Sequence, residues 1–138
     1  MIQELDTTGF FKGIKSEPAA NTPEDMQILQ DMLETRYYNE QKNNKCYYMT
    51  ANMIGVNKRI MIIPMDWTYE VIINPVELDI TEFLTPEEIE KDKKSLFYPD
   101  MSAIALEYYN EKWEKKRTLF RNDYGDIKKL LDRLDGIF

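Results

Sequence analysis

The chain has 138 residues, 43% hydrophobic and 31% charged, which suits one globular domain with a buried core. Its net charge of −7 argues against a general nucleic-acid binder, which needs a basic face to displace counterions. The sequence contains no histidine, so it lacks the commonest neutral-pH base and the commonest transition-metal ligand.

No apolar run approaches the roughly 20 residues of a membrane span. MIQELDTTGFFKG has neither the basic start nor the apolar stretch of a secretory signal. A single cysteine, Cys46, excludes an intrachain disulfide framework. These features together lead to the expectation of a cytoplasmic protein that contacts neither membrane nor nucleic acid.

In chain order, an irregular arm to about residue 21 contains Ser16-Glu17-Pro18-Ala19, extended because proline disfavours helix in the residue before it. Thr22-Pro23-Glu24-Asp25 combines a hydroxyl cap, proline at the first position and acids in the first turn, so a helix is predicted to about residue 42. Met26, Leu29, Leu33 and Tyr37 are its expected buried face. Gln41 to Lys45 reads as a loop and Cys46 to Thr50 as a strand. Arg59 to Pro64 and Tyr69 to Asn74 are β-rich runs joined by Met65-Asp66-Trp67-Thr68, a hairpin pattern.

Thr85-Pro86-Glu87-Glu88 repeats the capped start and predicts a short charged helix over 86–94. Ala103 to Tyr109 and Trp113 to Phe120 read as strands around Asn110-Glu111-Lys112. From about Tyr124 the spacing of Ile127, Leu130, Leu131 and Leu134 marks the apolar face of a last helix. Asp135-Gly136 stops it. The order of helix, several strands and helix gives an α+β fold.

Few residues offer chemistry on their own. Cys46 has no histidine to activate it and reads as a small hydrophobe. Glu87, Glu88, Glu90 and Asp92 lack the alternating ligands and turn glycine of a calcium loop, and the interleaved Lys91, Lys93 and Lys94 indicate a solvated face. Lys112, Lys115, Lys116 and Arg117 alternate with Trp113, Glu114 and Phe120. In so acidic a chain they read as the outer face of a hairpin rather than a strand for single-stranded nucleic acid.

Ala51-Asn52-Met53-Ile54-Gly55-Val56-Asn57-Lys58-Arg59-Ile60, followed by Ile73-Asn74-Pro75, resembles the peptide deformylase family. That family carries A-A-x-Q, then I-G-V-x-x-R-I, then an I-N-P turn, and one bacterial branch reads A-A-N-M-I-G-V-N-K-R-I. Ser16-Glu17-Pro18-Ala19 is similar to the branch's N-terminal arm. Leu134-Asp135-Gly136-Ile137 is similar to the L-N-G-I that follows the family's catalytic helix. Residues 76 to 122 align poorly, with an insertion around Thr85 to Lys94.

The resemblance implies a single domain over 1–138, with antiparallel sheets around a central C-terminal helix. Members hold iron or zinc through a cysteine in E-G-C-L-S and two histidines in H-E-x-x-H, and hydrolyse N-formylmethionyl peptides. Carried over residue by residue, Lys129 and Arg133 fall at the histidines and Leu130 at the glutamate. Asp132 remains but was never a ligand. Ser95-Leu96 is the nearest counterpart of C-L, and Met53 stands at the glutamine.

Two cations repel a divalent ion and a leucine carries no proton, so neither a cofactor nor deformylation is expected. Tyr47 and Tyr48 fall where small residues line the family's substrate cleft, beside Ile54 and Gly55. A tyrosine there plugs the cleft or offers a stacking surface, and the apolar Leu130 favours the plug. The expectation is a pseudoenzyme that binds a peptide N-terminus or a protein partner. The alternative is a hydrolase of the family with residual or altered chemistry.

Overall fold

The structure is a computed structural model that describes residues 1–5, 11–93, 103–121 and 124–138. Five antiparallel strands form one sheet in chain order: β1 Met49–Thr50, β2 Ile60–Pro64, β3 Tyr69–Leu78, β4 Ile104–Tyr109 and β5 Lys115–Phe120. Helix α1, Pro23–Asn43, covers one face, and helix α3, Tyr124–Leu134, covers the other. The short α2 spans Pro86–Lys93.

Alternation along the strands builds the two cores. Ile60 and Ile62 of β2 join Leu29 and Met32 of α1, whereas Met61 and Ile63 join Ile127, Leu130, Leu131 and Leu134 of α3. All four apolar positions expected on the last helix are buried. Among the described residues no helix is long and apolar enough to cross a membrane.

The caps follow their sequence signals. Thr22 Oγ1 accepts the Asp25 amide at 3.2 Å. At α2, Thr85 Oγ1 accepts the Glu88 amide while Glu88 Oε1 accepts the Thr85 amide, a reciprocal box. The bond from the Thr85 amide, aided by the Thr85 hydroxyl, holds the Glu88 carboxyl below its usual range.

Four expectations need correction. The buried face of α1 is Asp25, Leu29, Met32 and Thr35, and Tyr37 is exposed. A strict four-residue step drifts roughly 40° per repeat on a 3.6-residue helix, so a row through 29, 33 and 37 rotates off the sheet. Asp25 is buried because it accepts the Ala20 amide at 2.7 Å, and Thr35 because it accepts the Gln3 amide at 2.8 Å. Cys46 to Tyr48 are not strand. Their segment leaves α1 through Asn44 at a φ of 52°, and the Tyr47 amide bonds Glu40 Oε1 instead of a sheet neighbour.

Strand β3 does not stop at Asn74. It continues to Leu78 with a register shift between Ile73 and Val76, where Pro75 lacks an amide and Asn74 takes a φ of 53°. The Asn74 side chain bonds both the amide and the carbonyl of Ala19, tying the N-terminal arm to the sheet. Trp113 belongs to the turn rather than β5. Its φ is 61°, and its indole stacks by Tyr109 and donates to Met26 Sδ.

Beneath α3 lies one buried phenol. Tyr108 donates to Glu70 Oε1 at 3.1 Å and lies 3.0 Å from Thr118 Oγ1. Burial, opposed by the Thr118 bond and aided by the Glu70 charge, pushes its pKa up to about 12. The folded value lies above the unfolded value near 10, so the stability it contributes is whole below pH 10 and is lost as pH rises towards 12. Denaturant melts between pH 9 and 12 should show a steeper alkaline loss in the native chain than in Tyr108→Phe. Equal slopes would contradict this origin.

Candidate site around the C-terminal helix

Helix α3 turns an apolar face into the sheet, which sets the orientation of its remaining side chains. Leu130 is 6% exposed and belongs to the cluster with Met61, Ile72 and Leu106. Lys129 is exposed and Arg133 is half-buried, four residues apart on a common flank. The Arg133 Nε–H donates to Asn52 Oδ1 at 3.1 Å, and its guanidinium lies 4.3 Å from the centre of the Phe138 ring.

Asn52 sits in the 3-10 turn Ala51–Ile54 that follows β1, and is 1% exposed. Its Nδ2 donates to the Arg133 carbonyl at 2.9 Å, and its Oδ1 also accepts from the Thr50 hydroxyl. Each polar atom of this buried amide therefore has a partner of the right type. Met53 turns back on its own strand, where its Sδ accepts the Thr50 amide at 3.3 Å. Ile54 packs in the α1-side core, and Gly55 ends the turn at a φ of 83°.

The two tyrosines diverge. Tyr47 packs on the α1 side, its hydroxyl accepting from Asn43 Nδ2, whereas Tyr48 packs against the α3 cluster. Tyr47 and Ile54, expected beside the cleft, thus lie on the other side of the sheet, and Tyr48 is the ring on the α3 side. Ser95 and Leu96 lie outside the described residues.

Tyr48 lines a groove of about 580 Å³ with Cys46, Met65 of the β2–β3 hairpin, and Leu119, Phe120 and Arg121 at the end of β5. β1 and β5 are opposite edges of the sheet, so a groove walled by the flank of one and the end of the other shows that the sheet curls about α3. Asp66 adds a carboxylate to this wall, and Trp67 beside it is 99% exposed.

A polypeptide deformylase family model matches residues 12–137. The chain belongs to the polypeptide deformylase family. A peptide deformylase from Clostridium beijerinckii is 30% identical over 142 residues, covering 99% of this chain and 98% of that protein. The fold is similar to the crystal structure of the Thermotoga maritima peptide deformylase, with a TM-score of 0.70, 17% identity, and 100% and 95% of the two chains covered. It is also similar to a Met-Ala-Ser-bound structure of the Acinetobacter baumannii enzyme, with a TM-score of 0.69, 16% identity, and 100% and 97% covered.

Family membership makes a metal the natural expectation for the α3 flank, and the residues there do not fit one. An ammonium and a guanidinium have donors but no lone pair for a cation. Among the described residues no three of histidine, cysteine, aspartate and glutamate gather as a metal would require. Cys46 lines the groove with Tyr48, and neither Lys129 nor Arg133 lines it.

Asn52, Thr50 and Asp66 were not singled out from the sequence. Asn52 does lie inside the motif that carries the resemblance, but its partner is 81 residues away, and nothing in local spacing encodes that contact. Asp66 reads locally as a turn former.

Proposed function

We propose that this chain is a deformylase-family pseudoenzyme that binds peptide N-termini already free of the formyl group. The inactive half is carried by one observation. Where the family register calls for two imidazoles, the chain has Lys129 and an Arg133 whose Nε is engaged by Asn52. Leu130, at the position of the family's glutamate, is buried among apolar side chains and moves no proton.

The binding half is supported by the groove beside Tyr48. Its walls of Tyr48, Leu119 and Phe120 suit a methionine side chain. Asp66 is the carboxylate that a free α-ammonium would pair with, and a formamide carries no such charge. The Acinetobacter relative bound to Met-Ala-Ser supplies the ligand class.

Calorimetry of Met-Ala-Ser and its N-formyl form against the purified protein tests this reading, together with metal analysis and a formate-release assay. The expected result is saturable binding several-fold weaker for the formyl peptide, a preference abolished in Asp66→Asn, with no formate released. Stoichiometric iron, nickel or zinc with turnover would overturn the inactive half. Absence of saturable binding by either peptide would overturn the binding half.

A further inference from the structure

We infer that Arg133 is a clasp: its guanidinium locks the end of α3 to the 3-10 turn after β1 through Asn52, in the place where the family register puts a metal ligand. The inference rests on the contacts and the register, and it holds whether or not the groove takes a peptide.

The clasp is two-way. Arg133 Nε donates to Asn52 Oδ1 at 3.1 Å while Asn52 Nδ2 donates back to the Arg133 carbonyl at 2.9 Å. Thr50 completes the set by donating its hydroxyl to the same Oδ1, so that one oxygen accepts from both β1 and α3. The bond from the cation is charge-assisted, and the buried amide shields it from water. On its other side the guanidinium lies over Phe138, which fixes its plane.

The clasp joins a wider set of ties on the same helix end. The Leu134 carbonyl accepts the Ser16 amide at 2.8 Å and the Ser16 hydroxyl at 2.7 Å. Arg59 reaches Asp135 at 2.8 Å and the Leu134 carbonyl at 3.4 Å. The Arg133 and Leu134 carbonyls of α3 therefore gain side-chain donors from Asn52, Ser16 and Arg59, beside the backbone bonds that the helix end makes with Asp135, Gly136 and Ile137. Arg133 is the member of this set that stands at a ligand position. Its role is positioning: it holds the turn that carries Met53.

The test is a double-mutant cycle with a spectroscopic readout. In nitrogen-15-labelled native protein, the Arg133 Nε–H should give a resolved signal that exchanges slowly with water at pH 7.5, and Asn52→Ala should remove it. Arg133→Ala and Asn52→Ala should each lower Tm by several degrees, Asn52→Ala more because it also removes a donor from the Arg133 carbonyl and the acceptor of the buried Thr50 hydroxyl. Combined, they should fall short of additivity by about tenfold in the unfolding equilibrium constant. Arg133→Lys should fail to rescue, because an ammonium lacks the planar Nε–H. Rapid exchange of the Nε–H, additive losses or a native Tm in Arg133→Lys would each overturn the clasp. Should Asn52→Ala not fold, the native-protein exchange rate and Arg133→Lys still decide it.

Discussion

Gly136→Ala should lower the stability by about 3 kcal/mol or more, read as a Tm drop of roughly 10 °C in a thermal melt. Gly136 follows the last turn of α3 at a φ of 77°, with its amide on the Arg133 carbonyl and the Ile137 amide on the Asp132 carbonyl. This is the Schellman pattern, and a left-handed residue with a side chain costs about 1–2 kcal/mol there. Conformation is the smaller part. A Cβ at this site would lie 2.5 Å from the Ile14 nitrogen and 2.7 Å from its oxygen, both backbone atoms. The arm would have to move away, and with it the bond from the Gly13 amide to the Gly136 carbonyl at 2.7 Å. Gly55→Ala is the control, with a φ of 83° and nothing within 4 Å of the added carbon. It should cost only the conformational part. Equal losses in the two variants would show that the arm's close approach does not dictate the glycine.

That contrast also shows what the sequence made legible. Local rules carried well: proline and threonine at Thr22-Pro23, the reciprocal box at Thr85, and the apolar face of α3 all depend on neighbours within one helical turn. The stop at Gly136 was readable as a turn, but its contact with Ile14 was not, because nothing local encodes what the arm does. Likewise the α1 face was misplaced because the row through 29, 33 and 37 and the row through 29, 32 and 35 both start at Leu29, and only packing on the sheet selects the second. The family motif is instructive in a different way. Ser16, Asn52 and Arg59, all within stretches that carry the resemblance, contact the end of α3 in the fold. Their presence is therefore accounted for by packing and capping, without appeal to chemistry. The case for binding rests instead on the groove and its carboxylate, which no spacing rule foretold.

Leu130→Glu puts at this position the residue type that the family resemblance implies there, and should be strongly destabilising. Leu130 is 6% exposed in a cluster with Met61, Ile63, Ile72, Leu106 and the other apolar residues of α3, and Tyr48 packs against that cluster. Losing the leucine alone costs about 2–5 kcal/mol. An unpaired carboxylate in apolar surroundings adds a desolvation cost that is relieved only by protonation. The introduced group is expected to have a folded pKa above its unfolded value near 4.3. Stability relative to Leu130→Gln should then be best below pH 4.3 and worsen as pH rises through the folded pKa. At pH 7 the loss from the native chain should exceed about 4 kcal/mol, and Leu130→Gln, the uncharged match, should lose less. Chemical denaturation of both variants at pH 5 and pH 8 is the measurement. By contrast Lys129→His changes an exposed side chain and should shift stability by no more than about 0.5 kcal/mol. A Leu130→Glu protein as stable as native at pH 8 would mean that water reaches this position and that the apolar cluster does not close over it. The expected result makes a glutamate at this position incompatible with the packed core, because Leu130 is part of what holds α3 to the sheet.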